Sequence, residues 1–264
     1  MKILCVVKFV PDVDAFSYNY ETHTINREQS TMRINPDDAC AIGFALQLKK
    51  HDPKTCIEVV TMAPSSIVPL LEDILRVGVD KATLISDPLF AGSDTYVTSS
   101  IISRYLNDAT CDAILTGTHA IDGDTSHVPS QIAQCLNLDH LNNITVIDEE
   151  LFTTSHARVE VEDENSITTY QIAMPSVLSL TREAAYRLPY VRYKNLELDV
   201  SDRITHVTNS ELGFLPEEVG LRGSRTKVVS TYAKAFETRD AVIVGPDDSG
   251  IDVVYDFLQR NGFV

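Results

Sequence analysis

Ala113-Ile114-Leu115-Thr116-Gly117-Thr118-His119-Ala120-Ile121-Asp122-Gly123-Asp124-Thr125-Ser126-His127-Val128-Pro129-Ser130 reads as a buried strand, a tight loop and the start of a helix. Ala113, Ile114 and Leu115 form a short apolar run that stops at Gly117. Asp122 to Ser126 is dense in turn formers and small polar groups, and Ile132, Ala133 and Leu136 then recur at helical spacing. In an open α/β sheet, ligands collect at the carboxyl ends of the strands, beside such loops. A helix start also presents free backbone N–H groups that can hold a phosphate. The stretch therefore reads as a nucleotide site or as a plain strand-to-helix connection, and spacing alone does not separate the two.

Outward from it, the chain alternates strands and helices. Residues 3–10 are a near-continuous apolar run suited to a central parallel strand, interrupted by Lys8 near its end and closed by Pro11-Asp12. Residues 15–33 are polar, with strand-like pieces at Thr24-Ile25-Asn26 and Met32-Arg33-Ile34, and read as an excursion or a marginal hairpin. Asn35-Pro36-Asp37-Asp38 is a helix start: Asn35 can cap, Pro36 fits the first helical position, and two acids occupy the first turn. Strands are expected at residues 57–62 and 81–86, and helices at 65–77 and after Phe90-Ala91-Gly92-Ser93-Asp94-Thr95. Strands alternating with helices of this length imply βαβ units and a parallel sheet with helices on both faces.

From Ile144 the rhythm changes. Val159 to Val161 and Thr168 to Ile172 alternate around Asp163-Glu164-Asn165, which predicts an antiparallel hairpin, and residues 176–180 predict a further strand. Beyond Thr181 the chain is irregular and charged, with regular pieces at residues 227–230 and 241–244 and a helix over about 252–259. Residues 1–182 therefore read as a nucleotide-binding α/β domain, and residues 183–264 as an extended C-terminal arm that packs on another subunit.

A formal net charge of −16 argues against nucleic acid and against docking on anionic membrane. No apolar stretch is long enough to cross a bilayer, and Lys2 runs straight into the first strand with no signal peptide. Five scattered cysteines form no C-x-x-C pair, so a reducing cytoplasmic setting and no metal site are expected. P-loop, G-x-G-x-x-G and G-x-S-x-G signatures are absent. Asp122 and Asp124 read as paired acids or, preferably, as turn residues whose side chains bond local N–H groups. His119 and His127 flank the loop, and Lys8 reads as a strand-end residue rather than a catalyst.

In order along the chain, the run from Lys2 to Lys8, Asn35-Pro36-Asp37-Asp38, Phe90 to Thr95, Ala120 to Thr125 and Val219-Gly220-Leu221-Arg222-Gly223-Ser224 resemble the β subunit of electron-transfer flavoproteins. The Gly-Leu-Arg-Gly-Ser stretch is more similar to the anaerobic and electron-bifurcating branch. The resemblance implies a Rossmann-like, adenine nucleotide α-hydrolase-like core and a heterodimer with an α subunit, with which it shares an FAD. It also implies a second adenine nucleotide in the β subunit, AMP or a second FAD, and a flavin dehydrogenase of acyl-CoA or other type as donor. By position the nucleotide contacts fall on Val6, on Asn35, Pro36, Asp37 and Asp38, on Met62, and on Ala120, Ile121, Asp122, Gly123, Asp124, Thr125, Ser126, His127, Val128, Pro129, Ser130 and Gln131. Asn35 and Asp38 would bond adenine or ribose, and Thr125 and Ser126 would offer hydroxyls and N–H groups to phosphate.

Three positions depart from the family. His127 stands for a usual Gln, Pro129 for a frequent Gly, and Tyr186-Arg187-Leu188-Pro189 replaces a Pro-Arg-Tyr-Pro run whose Arg lies near the α-subunit flavin. Such a carrier needs no catalytic side chain of its own, because the cofactor does the chemistry. The alternatives are an adenine-nucleotide sensor or ATP-using enzyme of the same fold, and an interaction subunit that has lost its nucleotide.

Overall fold

The computed structural model describes residues 1–12, 18–19, 24–25, 31–163, 165–227 and 242–264. In chain order, β1 (Lys2–Val6), β2 (Phe9–Pro11), β3 (Tyr18–Asn19), β4 (Thr24–Ile25) and β5 (Met32–Ile34) lead to α1 (Pro36–His51). There follow β6 (Cys56–Met62), α2 (Val68–Arg76), β7 (Lys81–Ile85), α3 (Thr95–Asn107), β8 (Ala113–Gly117) and α4 (Val128–Leu136). Then come β9 (Asp139–Ile147), β10 (His156–Glu162), β11 (Ile167–Ala173) and β12 (Ser176–Leu180). The chain ends through β13 (Ile204–Val207), α5 (Asn209–Leu212), α6 (Gly220–Gly223) and α7 (Asp248–Arg260).

One nine-stranded sheet organises these elements, in the order β11-β10-β9-β12-β8-β1-β6-β7-β13. Every pair from β9 to β13 across the sheet is parallel, and β10 and β11 add antiparallel strands at one edge, the expected hairpin. β2 pairs antiparallel with β5, and β3 with β4. Most of the polar stretch before Arg33, Asn26 included, lies outside the described residues.

Alternation along the strands feeds two cores. On one face Ile3 and Cys5 of β1 pack with Ile42 and Phe44 of α1 and Leu71 and Leu75 of α2. On the other, Leu4 and Val6 pack with Val97 and Ile101 of α3 and Ile132 of α4. α1 is buried on most of its surface because it crosses the middle of the sheet, against β8, β1 and β12. At the amino end of the sheet, Glu58 of β6 is 2% exposed and accepts hydrogen bonds from Tyr105 (2.7 Å) and Thr83 (2.8 Å). Lys81 and Lys2 lie 3.4 and 3.6 Å from it. Burial alone would raise its pKa, but these hydrogen bonds and cations outweigh burial and hold it below the usual carboxylate value.

The chain divides into two compact units, Met1–Thr226 and Lys227–Val264. Residues 183–226, assigned above to the arm, cluster with the first unit because β13 pairs with β7. That unit ends under the control of Asp94. One carboxylate oxygen caps α3 through Val97 N–H (3.0 Å), and the other accepts Arg225 N–H (2.7 Å) and Thr226 N–H (2.9 Å). In the second unit the expected C-terminal helix is α7, started four residues earlier than predicted by the cap from Asp247 to Gly250 N–H. Its Ile251, Val254 and Phe257 are exposed. Of the other expected pieces, residues 228–230 and 241 lie outside the described residues, and Val242, Ile243 and Val244 form no regular structure.

Candidate functional site

The carboxyl ends of three adjacent parallel strands, β1, β8 and β12, are gathered by four residues at the start of α1. Pro36 opens the helix, where a missing N–H is harmless. Asn35, Asp37 and Asp38 are 1%, 2% and 6% exposed, and all three side chains are engaged with backbone of other elements. Asp38 accepts from Lys8 N–H after β1 (2.9 Å) and from Gly117 N–H at the end of β8 (2.6 Å). Asp37 accepts from His119 N–H (3.3 Å) and from Arg182 N–H after β12 (3.2 Å). The Asn35 amide donates to the His119 carbonyl (2.8 Å) and accepts from Ile121 N–H (3.2 Å). Asn35 therefore does not cap α1 with its side chain as the sequence suggested; the nearby loop offers it a donor and an acceptor at once. Gly117 makes the fit possible, since a Cβ there would lie 2.6 Å from Asp37 Cβ and from Asp38 Oδ1.

Electrostatics follow from this burial. Desolvation pushes the Asp38 carboxyl up to about 7, against the hydrogen bonds from Lys8 and Gly117, and Asp37 beside it adds repulsion. Asp37 is raised too, by burial first, although His119 and the Arg182 N–H favour its charged form. The His119 ring lies between Asp37 (Nδ1 to Oδ2, 3.4 Å) and Asp124 (Nε2 to Oδ1, 3.9 Å). Lys8 reaches from the end of β1 to Asp122 (2.6 Å).

Of the remaining sequence-predicted residues, Val6 closes β1 and Met62 closes the adjacent β6, two and three places along from β12, at the same end of the sheet. The loop after β8 is mostly open to solvent: Asp122, Gly123, Asp124, Thr125, His127 and Ser130 are exposed, and Ala120, Ile121, Ser126, Val128 and Gln131 are partly so. Its turn is closed by main chain, with Gly123 and Asp124 N–H both donating to the Ala120 carbonyl. The Asp122 carboxylate pairs with Lys8 instead of a local N–H, contrary to the turn reading. Asp124 (φ 46°) and Ser126 (φ 53°) are held in the left-handed region, a costly backbone that clusters at ligand sites. α4 then begins at Val128, whose N–H and that of Ser130 have no acceptor within the helix. Pro129 is buried and Gln131 accepts from Ser99 of α3 (3.1 Å) through its side-chain carbonyl.

Sequence reading missed two contributors. Lys8 read as a strand end, yet it bridges to the loop. Thr116, Ser179 and His140 form a polar seam across β8, β12 and β9, with Thr116 and Ser179 hydroxyls 2.9 Å apart and His140 Nε2 2.9 Å from Ser179. Thr116 and Ser179 are register partners, so a hydroxyl at the same level of two apolar strands was the available signal. Burial holds the pKa of His140 below its usual value.

A family model described as "Electron transfer flavoprotein domain" matches residues 22–195. The chain is 32% identical to the "Caffeyl-CoA reductase-Etf complex subunit CarD" of Acetobacterium woodii, over 93% of this chain and 92% of that one. It is 30% identical to an "Electron transfer flavoprotein subunit beta" of Thermoanaerobacterium thermosaccharolyticum, over 93% of each chain. It is 28% identical to the "Acryloyl-CoA reductase electron transfer subunit gamma" of Anaerotignum propionicum, over 98% of each. A mostly parallel sheet, a domain match spanning about two thirds of the residues and near-full-length relatives agree: the chain belongs to the electron transfer flavoprotein family, as a subunit of the β type.

Proposed function

We propose that this chain works in the cytoplasm as the β subunit of a heterodimeric electron carrier, shares an FAD with an α subunit, and seats a second adenine nucleotide on the loop after β8. The observation that carries the reading is the meeting of Val6, Met62, Pro36 and residues 120–131 at one end of the sheet, beside an exposed loop with left-handed backbone and a helix start. These residues suit an adenylate. Met62, partly exposed beside the buried Val6, offers apolar surface to a base, while Thr125 and Ser126 hydroxyls and the N–H groups of Val128 and Ser130 suit phosphate. Lys8 neutralises Asp122, so that carboxylate does not repel an anion placed on the loop.

When bound, the flavin supplies the electron-transfer chemistry. What this chain adds is position. Arg187 is exposed, and its backbone is pressed onto α1 where Gly43 leaves room; a Cβ on Gly43 would meet Arg187 C at 2.9 Å. Tyr186 beside it packs on Phe44 and bonds Ile147 through its hydroxyl. A guanidinium on so fixed a backbone is suited to a shared flavin. The second unit, with its exposed Ile251, Val254 and Phe257, is suited to packing on the α subunit. The relative named as an acryloyl-CoA reductase subunit favours an acyl-CoA-type dehydrogenase as partner.

The test is co-purification with the α subunit, followed by denaturation and counting of flavin and AMP per heterodimer. A flavin shared by the pair, with AMP or a second flavin, is the expected result. A colourless complex that FAD does not restore overturns the carrier reading, and a flavin-bearing complex with one nucleotide only leaves this chain as an interaction subunit.

A further inference from the structure

The start of α1 holds three polar side chains that are almost wholly buried and face no solvent, which is a poor disposition for gripping a ligand. Each is instead bonded to backbone, Asn35 also to Asp38, and Asp37 also lies beside the His119 ring. Asp38 joins the exits of β1 and β8, Asp37 those of β8 and β12, and Asn35 both sides of the turn at Ala120. We propose that Asn35, Asp37 and Asp38 are positioning residues: they fix the path of the loops leaving β1, β8 and β12, and so shape the nucleotide seat without touching the nucleotide. This rests on the seat proposed above, and it replaces the expectation that Asn35 and Asp38 bond adenine or ribose.

Protonation bears on the clamp. An ionised carboxylate accepts at both oxygens, whereas the neutral acid sets a proton on one of them, against an N–H already there. The titratable and charged groups around Asp38 are Asp37 from α1 and, from β1 and its exit, Cys5 and Lys8. Around Asp37 they are His119, Glu183 and Arg182, with Cys40 on the same helix. Asp122 and Asp124 stand one step further out, on Lys8 and His119. Burial raises the Asp38 carboxyl to about 7, with no cation against it among the described residues, so the clamp tightens as pH rises through about 7.

The test uses the heterodimer and AMP as the probe, with D38N, in which an amide donor replaces one acceptor, and T125A, which removes a seat hydroxyl. Backbone hydrogen exchange is read by mass spectrometry for peptides spanning residues 7–9 and 116–121, corrected for the intrinsic rate at each pH. D38N is expected to speed exchange in both peptides and to weaken AMP about tenfold, while T125A weakens AMP with exchange unchanged. In the unsubstituted protein, AMP affinity and protection are expected to fall together from pH 8 to pH 6. D38N that weakens AMP with exchange unchanged makes Asp38 a ligand contact and overturns the proposal, as does unchanged exchange with unchanged affinity. If D38N does not fold, the pH series decides alone, and flat profiles overturn it. If the unsubstituted complex binds no AMP, the seat fails, while exchange still tests the clamp.

Discussion

Asp38 and Glu58 are two buried carboxylates that titrate in opposite directions, and the difference lies in their neighbours. Glu58 has two lysines and two hydroxyls, whereas Asp38 has backbone N–H groups and another carboxylate. Folding favours the neutral form of Asp38, because its pKa rises from 3.8 to about 7. Stability from this group is therefore full at low pH, falls as pH rises from about 4 to about 7, and is level above. For Glu58 the sign reverses: its stability is present above the unfolded value of 4.5 and is lost as pH falls through the lower folded value. Urea unfolding of the unsubstituted chain and of D38N between pH 5 and pH 8 is expected to show this. The unsubstituted protein should lose stability relative to the variant as pH rises to 7, by at most about 1.4 kcal/mol per pH unit. Equal slopes would mean that Asp38 is ionised throughout. At Glu58, Tyr105→Phe removes one donor to the ionised carboxylate and is expected to cost about 1 kcal/mol at pH 7, the deficit shrinking as pH falls below about 5 and Glu58 takes up its proton.

At the scale of elements, the parallel strands were readable because they are apolar on both faces, and β10 and β11 because they alternate. β9 was not. Asp139, His140, Asn142 and Asn143 break its pattern, since it lies where the parallel sheet gives way to the antiparallel edge and is only partly buried. β13 was missed because four residues, Ile204 to Val207, sit inside a charged, irregular stretch, and only pairing with β7 makes them a strand. Residues 35–38 stood out as a cluster, but their use did not: their partners are backbone groups 30 to 145 positions away, which no local pattern records. Gly117 is the hinge of that arrangement. Gly117→Ala should drive a methyl into Asp37 and Asp38 and cost about 1–3 kcal/mol by chemical denaturation. Phe44→Ala, which empties the contact of α1 with Phe152 and Tyr186, should cost about 3–5 kcal/mol.

The whole molecule divides its labour between two units. Both apolar cores lie within Met1–Thr226, so a chain ending at Thr226 should fold with an unchanged melting temperature. Without Lys227–Val264 it should fail to retain the α subunit in gel filtration; retention would show that the first unit alone makes the interface. Among the described residues no helix is long and apolar enough to cross a membrane. Asp94 starts α3 with one oxygen and fastens the last residues of the first unit with the other. One carboxylate thus both begins a helix and finishes a unit, so Asp94→Ala should fray two places at once, the first turn of α3 and residues 225–226.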